Sequence, residues 1–117
     1  MITNEYNTGA AIYLKRLQSL NRVCPRFRIG TTAQLMMFKL LDFFHKSGWG
    51  DWVSINNKAL LTAVGCTSET TLLSARRELI QKGLIAYKRG WKGCPGQYRL
   101  LCDCQSGEFL GKGVRYE

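Results

Sequence analysis

Residues 67–101, TSETTLLSARRELIQKGLIAYKRGWKGCPGQYRLL, decide the fold of this chain. The spacing of their apolar residues predicts a helix that Thr67 or Ser68 caps and that runs to Gln81, and Gly83 stands where a left-handed residue ends a helix. After it, LIAYKR and QYRLLC alternate as strands do, and the Gly- and Pro-rich RGWKGCPGQ between them favours a turn. The stretch therefore predicts a helix followed by a two-stranded hairpin.

Two more helices are predicted upstream. Apolar residues recur every three or four positions over residues 8–23, which indicates an amphipathic helix that Cys24-Pro25 ends. Thr31 or Thr32 is then expected to cap a second helix that continues to about Lys46. This helix is apolar on nearly all sides, so we expect it at the centre of the core. Its apolar residues include Leu35, Met36, Phe38, Leu40, Leu41, Phe43 and Phe44.

A short strand and a third helix are predicted between the second helix and residue 67. The two glycines of SGWGDW break the second helix, and WVSI at residues 52–55 favours a strand. Asn56 or Asn57 is expected to cap the helix NKALLTAV, and Gly65 to stop it. Two helices joined by a tight turn and followed by a hairpin form a winged helix-turn-helix. We therefore predict a mainly α fold with a small β wing, a winged helix-turn-helix with an extra N-terminal helix.

The length of 117 residues and the ordinary composition favour one folded domain. We assign residues 1–30 to an N-terminal helix and linker that could form a dimerisation arm, 31–101 to the winged helix-turn-helix, and 102–117 to a C-terminal tail or short hairpin. The sequence has no apolar run of about 20 residues and no signal-peptide pattern. We expect a cytoplasmic protein without membrane association, whose five cysteines are reduced thiols.

The charge of the chain points to a polyanionic partner. Lys and Arg number 17 against 8 Asp and Glu, which gives a net charge of +9 and favours nucleic acid. Residues 67–101 carry seven basic and two acidic residues, and residues 1–30 carry five and one. Residues 1–30 and 67–101 therefore carry most of the excess positive charge.

Residues 65–101 resemble a known family in GCTSETTL and in the pattern T-x-x-x-A-R-x-x-L-x-x-x-G-L-I, which begins at Thr71 and continues into the hairpin. Over about residues 30–101 the chain resembles the N-terminal winged-helix domain of DnaD-like primosome proteins and of replisome organisers from phages and mobile elements. The resemblance implies double-stranded DNA binding in replication initiation and self-association through N-terminal elements. It also implies a second helical domain, for which the residues after the hairpin leave no room, so we expect a short relative or a fragment.

A helical wheel of residues 68–82 separates two faces. Leu72, Leu73, Ala75, Leu79 and Ile80 gather on the side expected to face the core, and Thr70, Ser74, Arg77 and Gln81 lie opposite. A low polar face with an Arg suits the major groove, where Arg pairs with guanine and Gln with adenine. The basic hairpin suits phosphates or a minor groove. The eleven candidate DNA contacts are Ser68, Thr70, Thr71, Ser74, Arg77, Gln81, Lys88, Arg89, Trp91, Lys92 and Arg99.

Other residues of this region have more than one interpretation. Arg76 falls within the apolar arc, so we expect its stem to pack and its guanidinium to find a carboxylate such as Asp42 or Asp51. Trp91 could either cover the core or stack on a sugar or base. Tyr98 is expected in the core, together with Tyr87 or Ala86 on the paired strand.

The N-terminal helix also leaves alternatives open. Its basic residues could form a solvated face, a phosphate-binding arm or the polar side of a dimer helix; they are Lys15, Arg16, Arg22, Arg26 and Arg28. A helix outside the winged-helix core has an apolar stripe to bury, so we favour a homodimer whose two recognition helices contact DNA half-sites. That stripe comprises Tyr13, Leu14, Leu17 and Leu20.

The sequence offers little for catalysis or for a metal. Cys102 and Cys104 with nearby Cys94 lack the ligand spacing of structural zinc, so free thiols are favoured. His45 lies at the end of a core helix, where a capping or interfacial role is commoner than a nucleophile–base pair, and phosphate-loop and dinucleotide motifs are absent. We predict a protein that is not an enzyme and that uses no cofactor.

Three functions are consistent with this sequence. The first is double-stranded DNA binding in replication initiation of a phage, plasmid or other mobile element, with recruitment of a helicase loader implied by the resemblance. The second is transcriptional regulation by the same fold. The third is a winged-helix scaffold whose basic surface binds an acidic protein.

Overall fold

Four helices and three short strands form in the part of the chain that the computed structural model describes, which is residues 4–65, 68–102 and 109. In chain order they are α1 (Asn4–Arg26), α2 (Thr31–Lys46), β1 (Val53–Ser54), α3 (Asn57–Val64), α4 (Glu69–Gln81), β2 (Ile85–Lys88) and β3 (Gln97–Leu100). The prediction of a mainly helical fold with a small β element is confirmed. None of the described helices combines the length and hydropathy needed to cross a bilayer.

The three strands form one antiparallel sheet with the order β1-β3-β2. β2 and β3 are the predicted hairpin, in register with Tyr87 opposite Tyr98. β1 adds to the other side of β3, where Val53 also lies opposite Tyr98. The sheet therefore joins the segment before α3 to the hairpin of β2 and β3.

α2 lies at the centre of the core, as predicted. Its residues Met36, Met37 and Leu40 are fully buried, and it packs against α1, α3 and α4. Leu35 is 40% exposed, so α2 keeps one side outside the core. Outside α2 the core contains Leu20, Val23, Ile55, Leu60, Leu72, Leu79, Leu84, Ile85 and Tyr98.

Helix caps fix the positions of α3 and α4. Asn56 caps α3 and Ser68 caps α4, each through a side-chain oxygen that accepts a backbone N–H. Gly65 and Gly83 follow these helices with φ angles of 83° and 75°, the left-handed conformation that glycine adopts most readily. The sequence predictions for these four positions are confirmed; Thr67, the alternative cap of α4, lies outside the described residues.

The predicted cap of α2 is wrong. Gly30 is the N-cap, and Thr31 and Thr32 already lie inside the helix. The backbone N–H of Gly30 donates to Oε2 of Glu78 at 2.6 Å. This carboxylate comes from α4, where it also complements the positive end of the α2 dipole. The start of α2 is therefore fixed by a tertiary contact to the N-cap residue, and among the described residues no side chain caps the first turn of the helix.

α1 ends later than predicted. It continues to Arg26, with Pro25 in its last turn. Arg28 then adopts a φ of 54°, and the N–H of Ile29 bonds the carbonyl of Cys24 at 3.0 Å. These are the left-handed residue and the closing bond of a Schellman motif.

α1 also packs more closely than predicted. Leu20 and Val23 are buried in the common core, Tyr13 and Leu17 are partly buried against it, and Leu14 is 55% exposed. The apolar stripe is thus largely covered within one chain, and the expectation that it needs a second copy is wrong. The homodimer itself remains a prediction.

Candidate nucleic-acid interface

All eleven candidate DNA contacts are exposed. They divide into three groups that different elements position. One group lies along α4, one lies in the loop between β2 and β3, and one lies on the sheet. Thr70, Ser74, Arg77 and Gln81 are called the α4 ridge from here on.

α4 separates the ridge from a narrow buried face. Leu72 and Leu79 are fully buried, whereas Leu73 and Ile80 are 38% and 40% exposed. The expectation that all five apolar residues of the helix face the core is therefore wrong for two of them. At about 100° per residue, Leu73 and Ile80 fall between the buried face and Arg77, so they border the ridge.

Arg76 anchors the buried face of α4 to the sheet. It is 8% exposed, and its guanidinium carbon lies 4.1 Å from the centre of the Tyr87 ring. Its Nη1 donates to the Tyr98 hydroxyl at 2.8 Å and to Oδ1 of Asn57 at 3.1 Å. One side chain thus joins α4 to α3, β2 and β3, which holds the ridge in a fixed position relative to the hairpin.

The structural role predicted for Arg76 agrees with this geometry, but the predicted carboxylate partners are wrong. Asp42 accepts a hydrogen bond from the Tyr13 hydroxyl, and Asp51 pairs with Arg99 at 4.0 Å. Both acids lie on other parts of the fold, which the sequence separation did not reveal. Neutral acceptors bind the Arg76 guanidinium instead.

Tyr98 is the buried centre of the sheet, as predicted. Burial raises the pKa of its phenol, and this effect outweighs the hydrogen bond and the charge of Arg76, which both lower it. The phenol therefore stays neutral at physiological pH. Its partner on β2 is Tyr87, whose ring lies 4.9 Å away.

A tight turn forms the tip of the hairpin loop. Trp91 and Cys94 exchange two backbone hydrogen bonds of 3.0 and 2.7 Å, and Gly93 adopts a φ of 81° between them. The turn projects Trp91, which is 71% exposed, and Lys92 beside it. The interpretation of Trp91 as a cover for the core is therefore wrong.

Two glycines keep this loop narrow. A Cβ at Gly90 would lie 2.6 Å from the backbone nitrogen of Gly96, and a Cβ at Gly96 would collide with the Tyr87 ring. Only glycine allows the two sides of the loop to approach each other and Tyr87 this closely. The loop can thus present its tip without bulky flanks.

Lys88 and Arg99 occupy the opposite face of the sheet from Tyr98. Lys88 Nζ lies 4.3 Å from the centre of the Trp52 ring, and the Arg99 guanidinium lies 5.9 Å from it. Since strand residues alternate between faces, these cations point away from the α4 side of the sheet. Trp52 is not among the eleven candidate contacts, because its contact with these cations depends on the pairing of β1 with β3, which the sequence does not show.

The side of α4 that faces the start of α2 carries a carboxylate. Thr71 and Ser74 line a pocket of about 270 Å³ together with Gly30, Thr31 and Glu78. Glu78 binds the α2 N-terminus there. Of the two flanks of the ridge, this one is acidic and the one with Leu73 and Ile80 is apolar.

Part of the N-terminal basic cluster has structural contacts. Arg16 is half-buried, donates from Nε to the sulfur of Cys102 at 3.1 Å and lies 4.9 Å from the Trp49 ring centre. Arg28 ends α1 as described above, and Arg26 lies 5.7 Å from the Phe27 ring. Arg16 is the half-buried member of this group, whereas Lys15, Arg26 and Arg28 are exposed.

The cysteines and His45 lie in separate environments. Cys94 is exposed in the hairpin loop, and burial raises the pKa of the Cys24 thiol in the core. His45 stacks on Tyr13 with ring centres 4.9 Å apart. Among the described residues no three potential metal ligands lie together; Cys66 and Cys104 are outside that part of the chain.

Comparisons with protein-family models, with curated proteins and with solved structures found no match for this chain. The resemblance to DnaD-like domains therefore depends on the residues quoted for it.

Proposed function

We propose that this chain is a winged helix-turn-helix protein that binds double-stranded DNA. The observation that carries the proposal is the exposed α4 ridge, held by Arg76 at a fixed position relative to a basic hairpin loop. In this proposal α3 and α4 are the helix-turn-helix, and β2 and β3 are the wing.

The α4 ridge enters the major groove. Arg77 suits guanine and Gln81 suits adenine, since each offers the matching pair of hydrogen-bonding atoms. Leu73 and Ile80 border Arg77 and can contact a thymine methyl group. The acidic flank at Glu78 weakens attraction to phosphate on that side, so the ridge is suited to selective contact.

The hairpin loop contacts the DNA backbone. Arg89 and Lys92 are exposed cations on a narrow loop, and Trp91 is exposed between them. Cations of this kind supply affinity and salt dependence without sequence preference. Trp91 suits stacking on a sugar or an unstacked base.

The cellular role that we propose is replication initiation of a phage, plasmid or other mobile element, in the cytoplasm. This part follows from the resemblance to DnaD-like proteins and replisome organisers. It includes a homodimer that contacts two half-sites and recruits a helicase loader.

Duplex binding across a salt series tests the DNA proposal. Counterion release from about six phosphates gives a log–log slope near −5. A duplex pool enriched by repeated selection then supplies the preferred site. Lack of duplex binding at low salt would contradict the proposal and would favour the scaffold that binds an acidic protein.

Footprinting tests the replication role separately. We expect protection within the replication origin of the element that encodes the protein. Protection confined to a promoter operator would contradict the replication role and indicate a transcriptional regulator with the same DNA-binding surface.

A further inference from the structure

A polar pocket of about 390 Å³ lies between the start of α3 and the hairpin loop. Asn56 and Asn57 line it on the α3 side, and residues 94–96 line it on the loop side. Arg76 and Arg89 contribute two cations to its wall. The pocket is separate from the α4 ridge, none of whose residues line it.

The cation of Arg76 is buried without a direct carboxylate partner among the described residues. Its Nη1 binds two neutral acceptors, Asn57 and Tyr98, and its face lies on the Tyr87 ring. Glu69 connects to it only through the Asn57 amide, which donates to Glu69 at 3.3 Å. A buried charge is costly unless an opposite charge pairs with it. The wall of this pocket therefore favours an anion.

Two further features favour binding of an anion in this pocket. Arg89 is exposed at the pocket rim, so its guanidinium can move toward a bound anion. The eight-residue α3 begins at the pocket, and the positive end of its dipole lies there. Planar guanidinium groups bind phosphate oxygens in pairs, which makes Arg76 and Arg89 suited to a phosphate group.

We infer that this pocket binds a single phosphate group between Arg76 and Arg89. The same chemistry is present in a DNA backbone phosphate and in a free phosphate compound. In the first case the inference rests on the proposed function and adds a backbone contact beside the wing. In the second case it stands without DNA binding.

Thermal unfolding of the full chain with added inorganic phosphate is the first arm of the test, with chloride at equal ionic strength as the reference. We expect phosphate to raise the unfolding midpoint of the unchanged protein, because a ligand that binds only the native state stabilises it. Asn57→Asp places a carboxylate on Nη1 of Arg76 and should abolish this shift while the protein stays folded. Arg89→Gln should weaken phosphate binding by about tenfold or more.

Lys58→Gln is the matched control. It lies on α3, is exposed, does not line the pocket and changes the net charge by the same single unit. We expect it to keep the phosphate shift. An equal phosphate shift in Asn57→Asp, Arg89→Gln and Lys58→Gln would overturn the inference.

Duplex binding by the same variants is the second arm, and it identifies the source of the phosphate. If duplex competes with inorganic phosphate, the pocket binds a DNA phosphate; if phosphate binds without competition, the pocket binds a free phosphate compound.

The remaining outcomes combine the two arms. If inorganic phosphate causes no shift but Asn57→Asp and Arg89→Gln weaken duplex binding more than Lys58→Gln does, the result supports the DNA phosphate alone. Lack of both effects overturns the inference. Lack of duplex binding in the unchanged protein contradicts the proposed function but leaves the phosphate arm valid.

Discussion

Arg76 and Arg77 are neighbours on α4 and yet occupy opposite environments. Arg76 is 8% exposed and binds side chains from α3 and β3, whereas Arg77 is exposed on the ridge. Both residues are arginines at adjacent positions of the same helix, so the difference in their environments arises from the direction in which each side chain points around the helix axis. One face of α4 attaches the helix to the protein and the other is available for a partner.

This division has a physical consequence. Side chains on the attached face contribute to the free energy of unfolding, because their contacts form only in the folded chain. Side chains on the ridge contribute little to it, because they are solvated in both states. Substitutions on the two faces should therefore separate stability from the contact with DNA bases.

The largest effect is expected for Arg76→Ala. The change leaves the Tyr98 hydroxyl and the Asn57 carbonyl without their donor and opens space beside Tyr87, so we expect the free energy of unfolding to fall by about 3 kcal/mol. Urea denaturation measures it. Arg77→Ala is the control and should change the same quantity by less than about 0.5 kcal/mol. Equal losses in both variants would remove the distinction between the two faces.

Arg77→Ala should instead weaken DNA binding. We expect a loss of about 1–3 kcal/mol on the selected duplex, about tenfold to a hundredfold in affinity, with weaker discrimination at one base pair. Fluorescence anisotropy with the selected duplex and single-base variants measures both. Lys46→Ala, an exposed charge at the end of α2, is the charge control and should retain the base preference. If both variants lose affinity equally and keep the preference, the ridge does not contact bases.

Tyr98→Phe is a smaller change on the attached face. It should lower the free energy of unfolding by about 1 kcal/mol, since it removes one hydrogen bond. It should also change the alkaline behaviour. Because burial raises the pKa of Tyr98, the folded chain holds this proton more tightly than the unfolded chain does. Stability is then retained below a pH of about 10 and falls as the pH rises past it.

Urea denaturation between neutral and alkaline pH measures this effect. Tyr98→Phe should reduce the alkaline loss without abolishing it, because burial also raises the pKa of the Cys24 thiol. An unchanged alkaline profile in Tyr98→Phe would contradict the assignment to Tyr98.

The fold was predictable where local chemistry determines it. The caps at Asn56 and Ser68 and the left-handed Gly83 depend on residues within one turn of the helix; the sequence narrowed each cap to two adjacent residues and identified Gly83. The start of α2 was not predictable in this way, because Gly30 is held by Glu78, 48 residues away. The pairing of β1 with β3 is likewise a contact between distant segments.

In the candidate site, too, the features that depend on local sequence were predictable and those that depend on tertiary contacts were not. A helical wheel was sufficient to predict that the ridge is exposed, because this depends only on the period of the helix. It placed Leu73 and Ile80 in the core wrongly, since the width of the buried face depends on which elements surround α4. The partners of Arg76 were missed because Asn57 and Tyr98 lie 19 and 22 residues away.

The smallest effect is expected in the hairpin, where cations in the exposed tip can be compared with cations on the sheet. Lys92 lies in the exposed tip turn, whereas Arg99 lies beside Trp52 and pairs with Asp51 on the sheet face turned away from α4. If the tip contacts one phosphate, Lys92→Gln should make the log–log salt slope of duplex binding less steep by about 0.9. Arg99→Gln removes the same charge and should change the slope less. An equal change in both slopes would mean that both faces of the sheet contact the DNA backbone, because counterion release counts phosphate contacts wherever they lie.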